Sequence, residues 1–172
     1  ACNDWIAAVA FRPDGGAFVT AGKHGGVQVW DAATRQPLAS FQHPGGVSAA
    51  AFSPDGMTLL TGGPDRTARL WDAESGRPLG SLMAHPQEVT SVAFSPDGSL
   101  MLTGCLARAA RLWDVTTGVV VGQPLAHPGE VLAVAFGPDG RTLLTGQGRA
   151  EGDARLWDCL LYTSPSPRDR QK

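Results

Sequence analysis

The chain has 172 residues, of which 42% are hydrophobic and 17% are charged, and its formal net charge at pH 7 is −2. This length allows one domain of ordinary size, and a mildly acidic chain without a basic stripe argues against nucleic acid as the main partner. No run of 18 apolar residues is present, so the sequence predicts no membrane-spanning helix and no membrane partner.

One segment of the chain recurs four times, with a Pro-Asp-Gly turn and a Trp-Asp pair that return about every 42 residues. The turns begin at Pro13, Pro54, Pro96 and Pro138, and the pairs begin at Trp30, Trp71, Trp113 and Trp157. Proline presets φ at the second position of a type I turn and glycine suits the fourth position, so each turn predicts a hairpin. Self-similarity at a fixed period predicts a repeat architecture.

Short apolar runs lie between these markers, such as residues 89–94 (VTSVAF) and 110–114 (ARLWD). Each run is too short for an ordinary helix and is bounded by turn residues, which predicts strands. The apolar residues occur at both odd and even positions along each run, as expected when neighbouring sheets cover both faces of a sheet. The sequence therefore predicts an all-β fold made of repeated strands.

The period, the turns, the terminal Trp-Asp pairs and a histidine before three of the turns together resemble WD-repeat β-propellers, whose blades are four-stranded antiparallel sheets. The resemblance covers residues 2–158. It implies blades at about residues 5–42, 47–83 and 89–125, and a three-stranded blade at 131–158. Such blades stack side by side around an axis.

We expect the chain to be a fragment of a longer propeller protein whose remaining blades are missing. Residue 1 is Ala, no Met precedes the first repeat, and the fourth blade stops before its outer strand. An incomplete arc leaves two sheet faces and one strand edge uncovered. The sequence therefore predicts that the chain, expressed alone, aggregates or self-associates.

Residues 159–172 have no counterpart in the other repeats. The first eleven of them, CLLYTSPSPRD, match the translation of a DNA string that resembles the constant adapter of transposase-based sequencing libraries. The alternative is a natural tail rich in Ser and Pro. Under either interpretation we expect this segment to be disordered, and we exclude it from the propeller.

The resemblance also implies a buried hydrogen-bond chain, the structural tetrad of the family. In the second repeat all four positions match, namely His43, Thr61, Asp65 and Trp71. The other repeats match in part, with Thr20 and Trp30 in the first, His85, Thr103 and Trp113 in the third, and His127, Thr145 and Trp157 in the fourth. The Asp position is Ala107 in the third repeat and Glu151 in the fourth. Buried polar groups need partners, so the presence of one complete tetrad in four repeats bears on the rigidity of the propeller more than on its fold.

A Thr-His-Asp set could also act as nucleophile, base and orienting acid. We favour the structural interpretation because the same positions recur where a repeat needs internal hydrogen bonds. No two histidines are spaced as metal ligands, and no glycine-rich segment has the Gly-Lys-Ser/Thr of a nucleotide site. We therefore expect no catalytic residue, no metal and no cofactor.

The loops between the second and third strands of the blades differ most between repeats, whereas the other turns stay similar. Loops on a rigid scaffold are where recognition usually occurs. Each of these loops has a basic residue, namely Lys23, Arg66, Arg108 and Arg149. A positive ring for an acidic peptide or phosphate group is one interpretation, and solvated loop side chains are the other. The resemblance implies a noncatalytic scaffold that binds a protein or peptide.

Two further functions remain as alternatives. Residues 124–146 and 68–80 resemble propeller regions of large bacterial multidomain proteins, many of which also contain a serine/threonine kinase domain. The chain would then be a sensor or recruitment region, although no kinase motif occurs in it. A propeller hydrolase or lyase would need convergent carboxylates or metal ligands on the inner strands, and the sequence offers none there.

Overall fold

The computed structural model describes residues 5–148 and 153–159, which form fifteen strands in four antiparallel sheets. Sheet 1 contains β1 (Ile6–Phe11), β2 (Ala17–Gly22), β3 (Gly26–Asp31) and β4 (Pro37–Gln42). Sheet 2 contains β5 (Ala49–Phe52), β6 (Thr58–Gly62), β7 (Thr67–Asp72) and β8 (Pro78–Ala84). Sheet 3 contains β9 (Val89–Phe94), β10 (Leu100–Cys105), β11 (Ala109–Asp114) and β12 (Val120–Ala126). Sheet 4 contains β13 (Val131–Phe136), β14 (Thr142–Gln147) and β15 (Asp153–Asp158).

In each sheet the strands pair with their neighbours in chain order, so every sheet is a meander. This arrangement confirms the all-β prediction and is consistent with the blades of a propeller. The first strands of consecutive sheets, β1, β5, β9 and β13, lie against one another. They form the inner side of the stack, and the later strands of each sheet lie progressively farther out.

The Pro-Asp-Gly turns connect the first and second strands of each sheet. In sheet 1 the Gly15 N–H donates to the Arg12 carbonyl at 2.8 Å, and Gly15 has a φ of +72°. This left-handed backbone favours glycine. The Asp14 carboxylate accepts the Gly16 N–H at 2.8 Å. The same two bonds recur in the other three turns, which explains why the tripeptide repeats.

The aspartate of the Trp-Asp pair closes the next turn, between the third and fourth strands. Asp72 accepts the Ser75 N–H at 2.7 Å and the Ser75 hydroxyl at 2.6 Å. These bonds hold the pKa of Asp72 below its ordinary value. Asp31 and Asp114 bind Thr34 and Thr117 in the same way. The pair therefore combines a tryptophan, which in sheets 2 and 3 is buried against the preceding sheet, with an aspartate that fixes the following turn.

Three apolar cores fill the spaces between the four sheets. Between sheets 1 and 2, Val19 and Val29 pack against Leu59 and Trp71, and all four are buried. The face that a sheet turns to the following sheet is called here its trailing face, and the opposite face its leading face. Each core therefore joins one trailing face to one leading face.

An arginine lies two residues before each of three tryptophans. These arginines bind either a neighbouring sheet or a turn of their own sheet. Arg111 of sheet 3 donates to the Ala84 carbonyl of sheet 2 at 3.2 Å, and Arg155 of sheet 4 donates to the Ala126 carbonyl of sheet 3 at 3.4 Å. Arg69 instead donates to the Asp65 carboxylate at 3.3 Å. These contacts support the structural role that the regular spacing suggests.

Cys159 begins the segment that the sequence excludes from the propeller, yet its side chain is buried in the third core. Its N–H donates to the Arg141 carbonyl at 2.7 Å, which is the bond that Val115 makes to Ser99 in the preceding sheet. Burial raises the pKa of the Cys159 thiol. Residues 160–172 lie outside the described part of the chain, so the disorder expected of them stays a prediction.

Candidate functional site

A buried hydrogen-bond chain in sheet 2 joins the four residues that match the structural tetrad. The Trp71 indole N–H donates to Thr61 Oγ1 at 2.7 Å, and His43 Nδ1 lies 2.8 Å from the same oxygen. His43 Nε2 lies 3.1 Å from Asp65 Oδ1. Because the carboxylate only accepts, the network assigns the ring proton to Nε2, and Thr61 donates its hydroxyl proton to Nδ1. The chain of bonds leaves no polar atom of His43 unsatisfied.

The equivalent histidine of sheet 3 presents its other ring nitrogen to the threonine. His85 Nε2 lies 2.8 Å from Thr103 Oγ1, and Nδ1 lies 2.9 Å from the Met83 carbonyl. The carbonyl is an acceptor, so the proton is on Nδ1 and the tautomer is opposite to that of His43. Ala107, at the position of Asp65, offers no carboxylate to hold the ring the other way.

The remaining two sheets have shorter chains. In sheet 1 the Trp30 indole N–H donates to Thr20 Oγ1 at 2.9 Å, and in sheet 4 the Trp157 indole N–H donates to Thr145 Oγ1 at 2.7 Å. Both ring nitrogens of the buried His127 lack a hydrogen-bond partner among the described residues. Its ring packs edge-on against Trp157, with the ring centroids 5.3 Å apart. Glu151, which the sequence places at the Asp position, lies outside the described residues.

Burial lowers the pKa of all three tetrad histidines. For His43 the hydrogen bond and charge of Asp65 oppose that effect only in part. For His85 burial lowers the pKa to about 4, although the Met83 carbonyl favours the protonated ring. For His127 the nearby Arg155 charge adds to the effect of burial. The three rings are therefore neutral near pH 7.

This geometry supports a structural rather than a catalytic role for the Thr-His-Asp set. Thr61 and His43 are fully buried, so a substrate has no access to the hydroxyl. The same hydroxyl oxygen already accepts the Trp71 indole N–H. The Asp65 carboxylate is also held by the Thr67 N–H and hydroxyl at 3.0 and 2.7 Å. The bonds to Thr67 lie within the hairpin of β6 and β7, and the bond to His43 joins this hairpin to the connection between sheets 1 and 2.

The loops between the second and third strands lie at one edge of the sheets, together with the connections between consecutive sheets. This edge is called here the loop face. Lys23, Arg66 and Arg108 are exposed there. Arg149 lies outside the described residues. Arg66 and Arg108 occupy the same turn position, since both have left-handed φ angles, of 65° and 59°. Their carbonyls accept the N–H groups of His85 and His127 at 2.8 Å, which fixes the loop backbone to the tetrad.

Lys23 differs from the two arginines in its position and contacts. The left-handed residue of its loop is Gly25 (φ +95°), so Lys23 lies earlier in the turn. Its ammonium group lies 5.4 Å from the centre of the Trp5 ring, a cation–π contact. The tryptophan is 74% exposed. The loop face of sheet 1 therefore presents an aromatic ring together with a positive charge.

Two glutamates that the sequence did not single out, Glu88 and Glu130, also belong to the loop face. The Glu88 carbonyl accepts the Leu106 N–H at 3.1 Å, and the Glu130 carbonyl accepts the Gly148 N–H at 3.0 Å. Each connection between sheets is thus bound to the next loop. Glu88 is exposed and Glu130 is half-buried. The loop face therefore has mixed charge and is not a purely positive ring. The sequence signal that could have identified these two glutamates is their position, since each directly precedes the first strand of a sheet.

The opposite edge of the sheets has a groove of about 580 Å³ between sheets 1 and 2. Its walls include the exposed apolar side chains of Leu38 and Met57 and the charged side chains of Arg12, Asp14 and Glu74. Within the described residues, no group of three or more His, Cys, Asp or Glu side chains could hold a metal ion. No helix in that same part of the chain has the length and apolar character needed to cross a membrane.

Comparison with known proteins agrees with this geometry. The family described as WD domain, G-beta repeat matches residues 1–31, 35–72, 76–114 and 118–158. The crystal structure of the computationally designed Ika4 protein superposes with a TM-score of 0.81 at 26% sequence identity, over 92% of this chain and 93% of that one. No curated protein matches the chain. The repeats, the sheets and the tetrad positions together lead to one conclusion: the chain belongs to the WD-repeat family of β-propeller proteins.

Proposed function

We propose that the chain is a noncatalytic scaffold that binds a segment of a partner protein on its loop face. WD-repeat propellers typically mediate protein interactions and are generally noncatalytic. The observation that carries the proposal is the contrast between the two edges of the sheets. The turns at one edge repeat the same hydrogen bonds, whereas the loops at the other differ in sequence and length. Variation on a rigid frame is typical of a recognition surface.

The chemistry of the loop face favours a peptide with both acidic and apolar side chains. Lys23, Arg66 and Arg108 are exposed and can form charge-assisted hydrogen bonds with carboxylates. Trp5 adds an exposed aromatic surface beside Lys23. Since the backbone of Arg66 and Arg108 is already fixed by hydrogen bonds, binding requires little ordering of the loops. The kinase-linked alternative has no observation of its own here and stays a prediction.

A peptide-display selection against the chain tests this proposal, followed by binding measurements on two matched triple variants. The loop-face variant combines Lys23→Ser, Arg66→Ser and Arg108→Ser. The control combines Arg35→Ser, Arg77→Ser and Arg141→Ser, which lie in turns at the opposite edge. We expect selected peptides to be rich in Asp and Glu, and to lose at least about tenfold in affinity on the loop-face variant alone. Equal binding to both variants would contradict the proposal.

A further inference from the structure

The leading face of sheet 1 is an exposed apolar surface. Val9 is 68% exposed and Phe11 is 71% exposed. Phe11, Phe18 and Trp30 form a row across β1, β2 and β3, with ring centroids 5.9 and 6.2 Å apart. The register places Phe11 opposite Phe18, and Phe18 opposite Trp30.

The same three positions are covered in sheet 2, where Phe52, Leu59 and Trp71 are 8%, 0% and 4% exposed. They are buried by the trailing face of sheet 1. The leading face of sheet 1 therefore has the composition of an internal contact surface. Exposed apolar patches of this kind mark association sites.

The trailing face of sheet 4 is the complementary exposed surface. Leu144 and Leu156 lie opposite each other on β14 and β15 and are 45% and 71% exposed. Their counterparts in sheet 3, Leu102 and Leu112, are 0% and 2% exposed because sheet 4 packs over them. A Cβ at Gly146 would meet only Ala133 at 3.6 Å, so a second sheet can approach this face closely.

From these two faces we propose that two copies of this chain associate head to tail, with the trailing face of sheet 4 of each copy on the leading face of sheet 1 of the other. All three internal cores join a trailing face to a leading face, so the new contact repeats an arrangement the chain already uses. A heterologous contact forms a closed ring when its rotation closes. Two copies supply eight sheets, and closed propellers have four to eight.

A second copy suits both faces better than an unrelated partner does. In the part of the chain that the structure describes, the large exposed side chains of the two faces are leucines and aromatics of the kind that pack between the internal sheets. The charged Asp158 lies at the end of β15, on the same side as Leu156. Every copy also has one exposed leading face and one exposed trailing face, so two copies can cover all four faces. This inference goes beyond the proposed function, since the ring leaves the loop face free.

Sedimentation velocity of the full chain at micromolar concentration tests the proposal. We expect a species of twice the 17.9 kDa chain mass. Phe11→Glu blocks the leading face and Leu156→Glu blocks the trailing face, and both residues are 71% exposed. We expect each variant alone to be monomeric. Leu82→Glu, at a 54% exposed position on β8 away from both faces, is the control and should stay dimeric.

Mixing the two face variants gives the decisive result. One intact trailing face and one intact leading face remain in the mixture, so we expect dimers to return at higher concentration. Val9→Glu and Leu144→Glu form a second pair that should behave in the same way. A monomeric unmodified chain would overturn the proposal. Polymers that grow without limit, or mixtures that stay monomeric, would also overturn it.

Discussion

At the scale of single residues, the Thr61 hydroxyl holds two buried side chains of sheet 2 in place. It accepts the Trp71 indole N–H and donates to His43 Nδ1. Thr61→Val keeps the side-chain shape but leaves both nitrogens unsatisfied where water does not reach them. We expect the free energy of unfolding to fall by about 2–4 kcal/mol, measured by urea unfolding followed by tryptophan fluorescence.

Thr145→Val is the matched control for this change. Thr145 accepts the Trp157 indole N–H, but His127 makes no hydrogen bond to it. Trp157 is also only half-buried, so water can replace the lost partner. We expect a loss of about 1 kcal/mol or less. Equal losses in the two variants would mean that the complete tetrad adds nothing to sheet 2.

The His85 ring makes stability depend on pH. Burial lowers its pKa in the folded chain to about 4, whereas an unfolded histidine titrates near 6.5. Below pH 6.5 the unfolded chain therefore binds a proton that the folded chain does not. We expect the His85 contribution to lower the free energy of unfolding by about 3 kcal/mol in total between pH 6.5 and 4, and to be constant above pH 6.5.

Urea unfolding at several pH values between 7 and 4.5 measures this effect. His43 and His127 have lowered pKa values as well, so the unmodified chain should lose more stability than His85 alone accounts for. His85→Asn removes the titrating ring, and its stability should fall less steeply over the same interval. A variant with the same pH dependence as the unmodified chain would disprove the assignment to His85.

The sequence predicts which positions carry the tetrad residues, but not how each ring is oriented. His43 and His85 occupy equivalent positions and yet present opposite nitrogens to their threonines. The orientation of His85 depends on the Met83 carbonyl, a backbone atom whose place follows only from the folded strand β8. The partner of Arg69 could not be predicted from the repeat either, because Arg69 binds Asp65 rather than a neighbouring sheet.

At the scale of strands, Gly104 of β10 marks a close approach between sheets 3 and 4. A Cβ there would lie 2.8 Å from Val131 Cγ1 and 3.0 Å from Val134 Cγ1. Both valines belong to β13 and are packed in the third core. We expect Gly104→Ala to lower the free energy of unfolding by about 1–3 kcal/mol, measured by urea unfolding.

Gly146→Ala is the control, because Gly146 holds the same position in sheet 4; both glycine changes are made in the Phe11→Glu chain, which we expect to be monomeric, so that the face of Gly146 is uncovered. A Cβ there would meet only Ala133 at 3.6 Å, an ordinary contact. Alanine also loses less backbone entropy than glycine on folding. We expect no loss, or a gain of up to about 1 kcal/mol. A loss as large as that of Gly104→Ala would contradict the packing described here.

The strands were the most predictable part of the fold. Each Pro-Asp-Gly and each Trp-Asp specifies a turn through its own side chain, as Asp14 and Asp72 illustrate, so local sequence defines where strands stop. Packing between sheets was less predictable. Cys159 lies beyond the last Trp-Asp pair and is buried all the same, because the hairpin of β14 and β15 brings it to the Arg141 carbonyl.

At the scale of the whole molecule, the stack of sheets separates two kinds of edge. One edge consists of turns fixed by the aspartates of the repeats. The other combines loops of different sequence with backbone hydrogen bonds from sheet to sheet, such as Leu106 N–H to the Glu88 carbonyl. Such a stack holds the side chains of its variable edge on a rigid frame. We propose that binding occurs at that variable edge.

Hydrogen exchange of the chain with and without a selected acidic peptide tests this claim most directly, because it reports every amide at once. We expect the bound peptide to slow exchange at residues 23–25, 63–66 and 106–108 and in the connections that begin at His43 and His85. The turns at the opposite edge should be unchanged. Protection concentrated around Arg12, Met57 and Glu74, in the groove between sheets 1 and 2, would contradict the account and place binding at the opposite edge.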